Sequence, residues 1–307
     1  MSNQFFKKIK ILRNNIYVLG GKWFQYREQM MEQLDHCSGV EKILDAGCGD
    51  AWIKDEFKRF NKTVDYYGID LGVGDENLTY RLHAFADLHS IPFKSNSFDK
   101  VTSNSVLEHV EYPDQVFSEM ARVVTPGGRI FLNVPLTFYL HQTPYDFHRF
   151  TKYTLEKFAQ RNNLKIVEMW PQGGVFTVLR YIFTNYGFQH INDNMLWKVI
   201  AIPFFHLARF IDRIIGAPIV FLLDKLDHKK LLTLGYFVIY EKEGEAKSLG
   251  PEQVQFRCPE CYDDKALLDE SLKCPRCGAQ YLKVEGIPNL VLRESFRPRS
   301  RSFDRID

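Results

Sequence analysis

The chain has almost no net charge, with 40 basic side chains against 38 acidic ones over 307 residues. That balance removes any global electrostatic pull toward nucleic acid or anionic lipid, so a charged partner would need a local patch. Long apolar runs are missing too. Lys7, Lys8, Lys10 and Arg13 interrupt the first 20 residues, which therefore lack the continuous apolar core of a signal peptide, and a cytoplasmic location is expected. In the strongly apolar stretch 195–223 the longest charge-free run is Ile214 to Leu223, too short to span a bilayer. Cysteine is scarce until the end, where four of the six lie between positions 258 and 277. No internal repeat or low-complexity block alters the fold expectation.

What the chain does contain is a regular alternation of strand and helix patterns. An apolar strand through Ile43-Leu44-Asp45-Ala46 enters the tight turn Gly47-Cys48-Gly49, and a helix pattern follows over Trp52–Phe60. Further strands are expected at 64–70, 81–86, 98–103 and 128–134, with a helix at 114–124 that Pro126-Gly127-Gly128 should stop. Such alternation predicts a doubly wound α/β sheet, whose ligands bind where the strands end. A turn of this kind, with Asp70 about 20 residues on, suits a nucleoside-containing cofactor. A pyrophosphate would want a third glycine three residues after Gly49, where the bulky Trp52 stands instead, so phosphate recognition is disfavoured.

Four pieces together, LDAGCG at 44–49, GID at 68–70, ADLHSIPFKSNSFDKV at 86–101 and SVLEHVEYPDQVFSEMARVVTPGGRIFLNVP at 105–135, resemble the class I methyltransferases that use S-adenosylmethionine (SAM). The group that includes ubiquinone and menaquinone enzymes is the nearest in pattern. The resemblance covers roughly residues 40–170 and implies a seven-stranded Rossmann-like sheet. It also implies that Asp45, Gly47, Cys48 and Gly49 form the methionine-binding turn through backbone N–H groups. Asp70 would bind the ribose with Leu71 beside it, Asp87 and Leu88 would frame the adenine, and Ser103 and Asn104 would lie beneath the sulfonium. His109 would pack its helix or close the pocket, and the thiol of Cys48 is expected to be a packed turn residue rather than a nucleophile.

Two Cys-x-x-Cys pairs, Cys258/Cys261 and Cys274/Cys277, let four thiolates reach one structural Zn²⁺ from two tight turns. Residues 258–291 resemble the zinc ribbon of the activator subunit of tRNA and release-factor methyltransferases. Such a ribbon would dock on its own methyltransferase domain or recruit another protein. A polar linker at 241–255 marks its boundary.

The expected organisation is therefore an N-terminal helical extension (1–40), a methyltransferase domain (41–242) with a helical lid insertion near 171–232, a ribbon (256–292) and a disordered tail (293–307). The lid segment 195–223 is either a cap on the sheet or an interfacial helix in peripheral contact with a membrane. After the fifth strand, the run Tyr145-Asp146-Phe147-His148-Arg149-Phe150-Thr151 resembles part of bacterial methyltransferases of surface-glycan biosynthesis. It makes His148 and Asp146 candidate catalytic groups, and His141, Tyr145 and Arg149 candidate acceptor contacts. Thr151 should cap the following helix. The acceptor expected is a hydroxyl of a glycan, a lipid-linked intermediate or a small molecule. The alternatives are an RNA methyltransferase using the ribbon and the arginine-rich tail, and a SAM-binding module without catalysis. The strand-four end, Ser103-Asn104-Ser105-Val106, lacks the Asn-Pro-Pro-Tyr type motif used on planar amines.

Overall fold

The computed structural model describes residues 41–59, 63–72, 82–190, 207, 210–245, 249 and 254–291. The expected N-terminal extension, the tail 293–307 and part of the insertion and linker lie outside the described residues. The elements run β1 (Lys42–Ala46), α1 (Trp52–Arg59), β2 (Asp65–Asp70), β3 (Ala84–Phe85), β4 (Phe98–Asn104), α2 (Pro113–Val123), β5 (Val124–Pro135), α3 (Lys152–Arg161) and β6 (Leu164–Pro171). They continue with α4 (Val175–His190), α5 (Ala217–Asp224), β7 (Gly235–Lys242), β8 (Leu282–Val284) and β9 (Ile287–Asn289).

Every residue of β1 is buried, the pattern of a central parallel strand covered on both faces. Its neighbours are β2 on one side and β4 on the other, both parallel. Helix α1 turns Ile53 and Phe57 inward, one helical turn apart, and α2 starts on Pro113 and buries Val116, Phe117, Met120, Ala121 and Val123. Thr151 caps α3 as expected, its side chain accepting from the Thr154 N–H. The Pro126-Gly127-Gly128 segment does not separate helix from strand. Strand β5 starts directly at Val124 and absorbs the segment as an irregularity, its register to β4 shifting between Phe98 and Lys100. Gly127 takes φ +75°, and a Cβ on Gly128 would lie 2.7 Å from the Asp99 carbonyl oxygen.

The sheet order is β6-β7-β5-β4-β1-β2-β3-β9-β8. Winding proceeds one way from β1 through β3 and the other way through β4 and β5, so the switch point falls between β1 and β4. The sheet has nine strands where seven were expected, because the C-terminal ribbon adds two. Strands β8 and β9 form an antiparallel hairpin around Glu285 and Gly286, both with positive φ, as a two-residue turn between twisted strands requires.

The ribbon belongs to the same compact unit as most of the sheet, a unit whose described residues fall within 41–134, 140–169 and 238–291. Strand β9 pairs in parallel with β3, and the Leu290 N–H donates to the Phe85 carbonyl at 2.8 Å. Ile287 and Val291 bury themselves against Cys48, Leu82 and Phe85. Phe256 stacks on Phe93 at 5.3 Å, and Ser90 Oγ donates to the Pro259 carbonyl at 2.8 Å. Arg257, 2% exposed, reaches Glu119 at 3.1 Å and the Ile91 carbonyl at 3.2 Å. The docking therefore covers a two-residue strand that would otherwise offer an open sheet edge.

A second unit holds 135–139 and 170–237. Within it α4 and the helical stretch 210–224 confirm a helical insertion among the described residues, and Trp170 stacks on Phe237 at 5.4 Å.

Candidate active site

The turn after β1 is held by the end of β2. The N–H groups of Gly47 and Cys48 both donate to the Ile69 carbonyl, at 2.9 and 3.1 Å, and the Gly49 N–H donates to Asp70 Oδ2 at 3.0 Å. These three donors, expected to face a ligand carboxylate, are thus spent inside the protein. A Cβ on Gly47 would lie 2.6 Å from Val106, so this glycine is required for close approach as well as for its φ of +79°. Asp70 also accepts from the Gly72 N–H at 2.9 Å. A carboxylate has about four acceptor sites, which leaves capacity for two hydroxyls of a ribose diol.

Asp45 is 1% exposed and accepts from the Tyr66 hydroxyl at 2.7 Å. Burial pushes its carboxyl up to about 7, the Tyr66 bond opposing and the nearby Asp70 and Asp50 reinforcing. Asp45 and Asp70 in the adjacent strands β1 and β2, with Asp50 in the turn between β1 and α1, disfavour a phosphate and suit a cation. A sulfonium with an α-ammonium fits this donor set, and a pyrophosphate does not. Asp87 accepts from the His89 N–H at 2.9 Å and meets His89 Nδ1 at 2.7 Å; Leu88 is buried and Leu71 is exposed. Ser103 Oγ, expected beneath the sulfonium, instead donates to the Ala46 carbonyl at 3.0 Å, tying β4 to β1. Asn104 accepts from Asn133 at 2.7 Å. The Cys48 thiol is buried in the ribbon interface and its pKa is raised by that burial, which fits the expected packing role.

Next to these strand ends stands a group that sequence reasoning only partly found. The one-turn helix Leu107–His109 follows β4 directly and presents Glu108 and His109. His109 Nδ1 lies 2.6 Å from the Tyr145 carbonyl; a carbonyl only accepts, so the proton is on Nδ1 and Nε2 carries the lone pair. His141 Nδ1 lies 3.3 Å from Asp146 Oδ2, an acceptor that favours a proton on Nδ1 there too. The two rings meet edge to face at 4.7 Å. Glu108, 1% exposed, stands 3.9 Å from His109 Nε2 and 4.0 Å from His141 Nε2, and burial pushes its carboxyl up to about 7. Oε2 of Glu108 and Nε2 of His109 have no hydrogen-bond partner. Two imidazole lone pairs and one carboxylate, with donor atoms within 4.8 Å of one another, can take a proton from a substrate or hold a divalent cation.

The two candidate catalytic groups of the 145–151 run, Asp146 and His148, have separate partners. Asp146 grips Arg149 with both oxygens, at 2.6 and 2.8 Å, and accepts from the His141 N–H at 2.8 Å. The Arg149 guanidinium holds its carboxyl well below the usual range, so Asp146 orients and does not take protons. His148 turns to the Glu111 carbonyl at 3.3 Å and lies between Phe147 and Phe150.

In the ribbon, Sγ of Cys258 and Cys277 are 3.8 Å apart, as are those of Cys261 and Cys274. Four sulfurs around a tetrahedral zinc with bonds of about 2.3 Å stand about 3.8 Å from one another, so the four cysteines fit the metal. The Tyr281 hydroxyl lies 3.3 Å from Cys258 Sγ, an outer contact that would orient the ligand.

Residues 44–132, from β1 into β5, match the family described as a methyltransferase domain. The chain is 33% identical over 115 residues to ubiquinone biosynthesis O-methyltransferase of Nitrosococcus oceani, covering 34% of this chain and 45% of that protein. It is 31% identical over 104 residues to malonyl-(acyl-carrier protein) O-methyltransferase of Hahella chejuensis, covering 32% and 37%. The alignments thus span less than half the length of either curated relative. Among solved structures, a complex of the Haloferax volcanii Trm112 methyltransferase activator with a methyltransferase superposes with a TM-score of 0.46 at 12% identity, covering 77% of this chain and 99% of that one.

Proposed function

We propose that the protein is a SAM-dependent methyltransferase that acts on a hydroxyl of a small-molecule, glycan or lipid-linked acceptor, with His109 or His141 receiving the hydroxyl proton beside Glu108. The observation that carries this reading is the pair of imidazoles, each with Nδ1 against an acceptor oxygen, beside a buried carboxylate at the carboxyl end of β4. The match of residues 44–132 to a methyltransferase domain supports the transfer, and the names of two relatives, both O-methyltransferases, favour oxygen as the accepting atom. SAM, when bound, supplies a methyl already activated on a sulfonium. The chain's own tasks are then to align the acceptor, exclude water and remove a proton. Asp45 and Asp70 hold the cationic and ribose parts, His109 or His141 takes the proton, Asp146 and Tyr145 fix the tautomers, and Glu108 stabilises the imidazolium that forms. Zinc on the four cysteines is structural in this scheme, since a closed four-thiolate centre activates no water.

Two expected results test the scheme. Replacing Asp70 with alanine removes a charged acceptor and frees the Gly49 and Gly72 amides, so SAM affinity should fall by one to two decades, about 1.5–3 kcal/mol; calorimetry giving an unchanged Kd would remove Asp70 from the site. Burial holds His109 below the ordinary histidine value of 6.5, so its neutral form persists to lower pH than in a free imidazole. The acid limb of kcat/KM should therefore lie below pH 6.5, and a limb at or above that value would exclude His109 as the base.

A further inference from the structure

In the second unit, charge and apolarity are arranged inside out. Asp224, which is buried, accepts from the N–H groups of Gly174, Phe176 and Thr177 and so caps the start of α4. Asp227 accepts from the Val175 N–H at 2.9 Å. Asp212 takes Arg180 by two nitrogens, at 2.9 and 2.6 Å. The three acids are thus turned toward α4, while Phe183, Phe210, Ile214, Ile215, Leu222 and Leu226 are exposed, Phe183 by 79%. On a water-facing helix pair the opposite arrangement is expected, with the apolar stripe inward. The exposed apolar positions run along both the π-helical turn Asp212–Gly216 and α5.

The structure assigns this face to the surface of an anionic lipid bilayer. Three features favour lipid over a protein partner. The apolar face carries several exposed large side chains on consecutive helical turns, which a fluid hydrocarbon layer accommodates without a matching groove. The acids Asp212, Asp224 and Asp227 are all used inward, so the charges left at the rim beside Leu226 include the cations Lys225 and Lys229, complementary to anionic headgroups. The stretch 210–224 is at most about 22 Å long even at the α-helical rise of about 1.5 Å per residue, shorter than the hydrocarbon core of about 30 Å, and no described helix is long and apolar enough to cross a membrane. The helices would lie along the interface, their apolar side dipped into the boundary between headgroups and acyl chains. This assignment is independent of the methyl-transfer scheme, because none of these residues belongs to the candidate active site.

The test is flotation of the full chain with vesicles of phosphatidylcholine alone and of phosphatidylcholine with about one third phosphatidylglycerol, in parallel with SAM calorimetry. The expected result is binding to the anionic vesicles. It should weaken severalfold in Lys225→Ala/Lys229→Ala and at least tenfold in Phe210→Ser/Leu222→Ser, with SAM affinity and circular dichroism unchanged in both variants. Two results would overturn the assignment. One is a folded, SAM-binding chain that stays with the unbound fraction on both vesicle types. The other is a dimer in light scattering that Phe210→Ser/Leu222→Ser converts to monomer, which would give the face to a second copy.

Discussion

Removing the metal from the Cys258–Cys261–Cys274–Cys277 centre is expected to weaken SAM binding by at least tenfold, although no cysteine of the centre touches the cofactor crevice. The ribbon segment is small, and structural zinc sites of this kind contribute about 10–16 kcal/mol to folding, so without metal the ribbon should unfold. With it would go the pairing of β9 to β3 and the packing of Ile287 and Val291 on Cys48 and Phe85, each side chain worth about 1.5–3 kcal/mol of burial. Cys48 belongs to the turn after β1, and Phe85 lies against Gly72, where a Cβ would sit 2.5 Å from its ring. Both walls of the crevice would therefore loosen. Chelation or Cys274→Ser followed by SAM calorimetry and hydrogen exchange should show the loss of affinity together with loss of protection in 82–95. A stripped protein that keeps its SAM affinity would make the ribbon an independent module.

The second large effect is expected at the histidine pair. His109→Ala and His141→Ala should each lower kcat by about two to three decades, the usual span for losing a general base, with SAM affinity changed less than threefold. Asp146→Asn should act through His141: the asparagine amide can donate to Nδ1, which would move the proton to Nε2 and remove the outward lone pair, and kcat should drop with a displaced acid limb. His148→Ala should leave kcat within about twofold. A large loss in His148→Ala with His109→Ala unaffected would return the base to the position that the sequence favoured.

Much of the architecture was legible in the chain, because its signals are local. The apolar Ile43-Leu44 entry into the Gly47-Cys48-Gly49 turn, the one-turn spacing of Ile53 and Phe57, and the Pro113 helix start each have one structural solution. The active-site detail was less legible, since it depends on which way short polar groups turn. Gly47-Cys48-Gly49 announces a turn, but residue types do not tell that the Ile69 carbonyl and Asp70 capture its N–H groups. Asp146 and His148, two apart, looked like a pair; the chain instead brings His141, five residues earlier, onto Asp146, while Arg149 takes both carboxylate oxygens. Glu108 was not singled out, because its residue type does not show that it is buried. The ribbon strands were too short for periodicity to reveal, and their place beside β3 is a tertiary fact. The four cysteines, by contrast, were plain from spacing alone.

The central claim is methyl transfer from SAM to an oxygen of a non-nucleic-acid acceptor. The most direct measurement incubates the full chain with methyl-labelled SAM and a cell extract, separates lipid, glycan, small-molecule, protein and RNA fractions, and compares the wild type with His109→Ala. The account predicts label in the lipid, glycan or small-molecule fraction, resistant to ribonuclease and protease and lost in His109→Ala. Label confined to RNA and released by ribonuclease would contradict it, as would a folded protein that binds SAM yet labels no fraction.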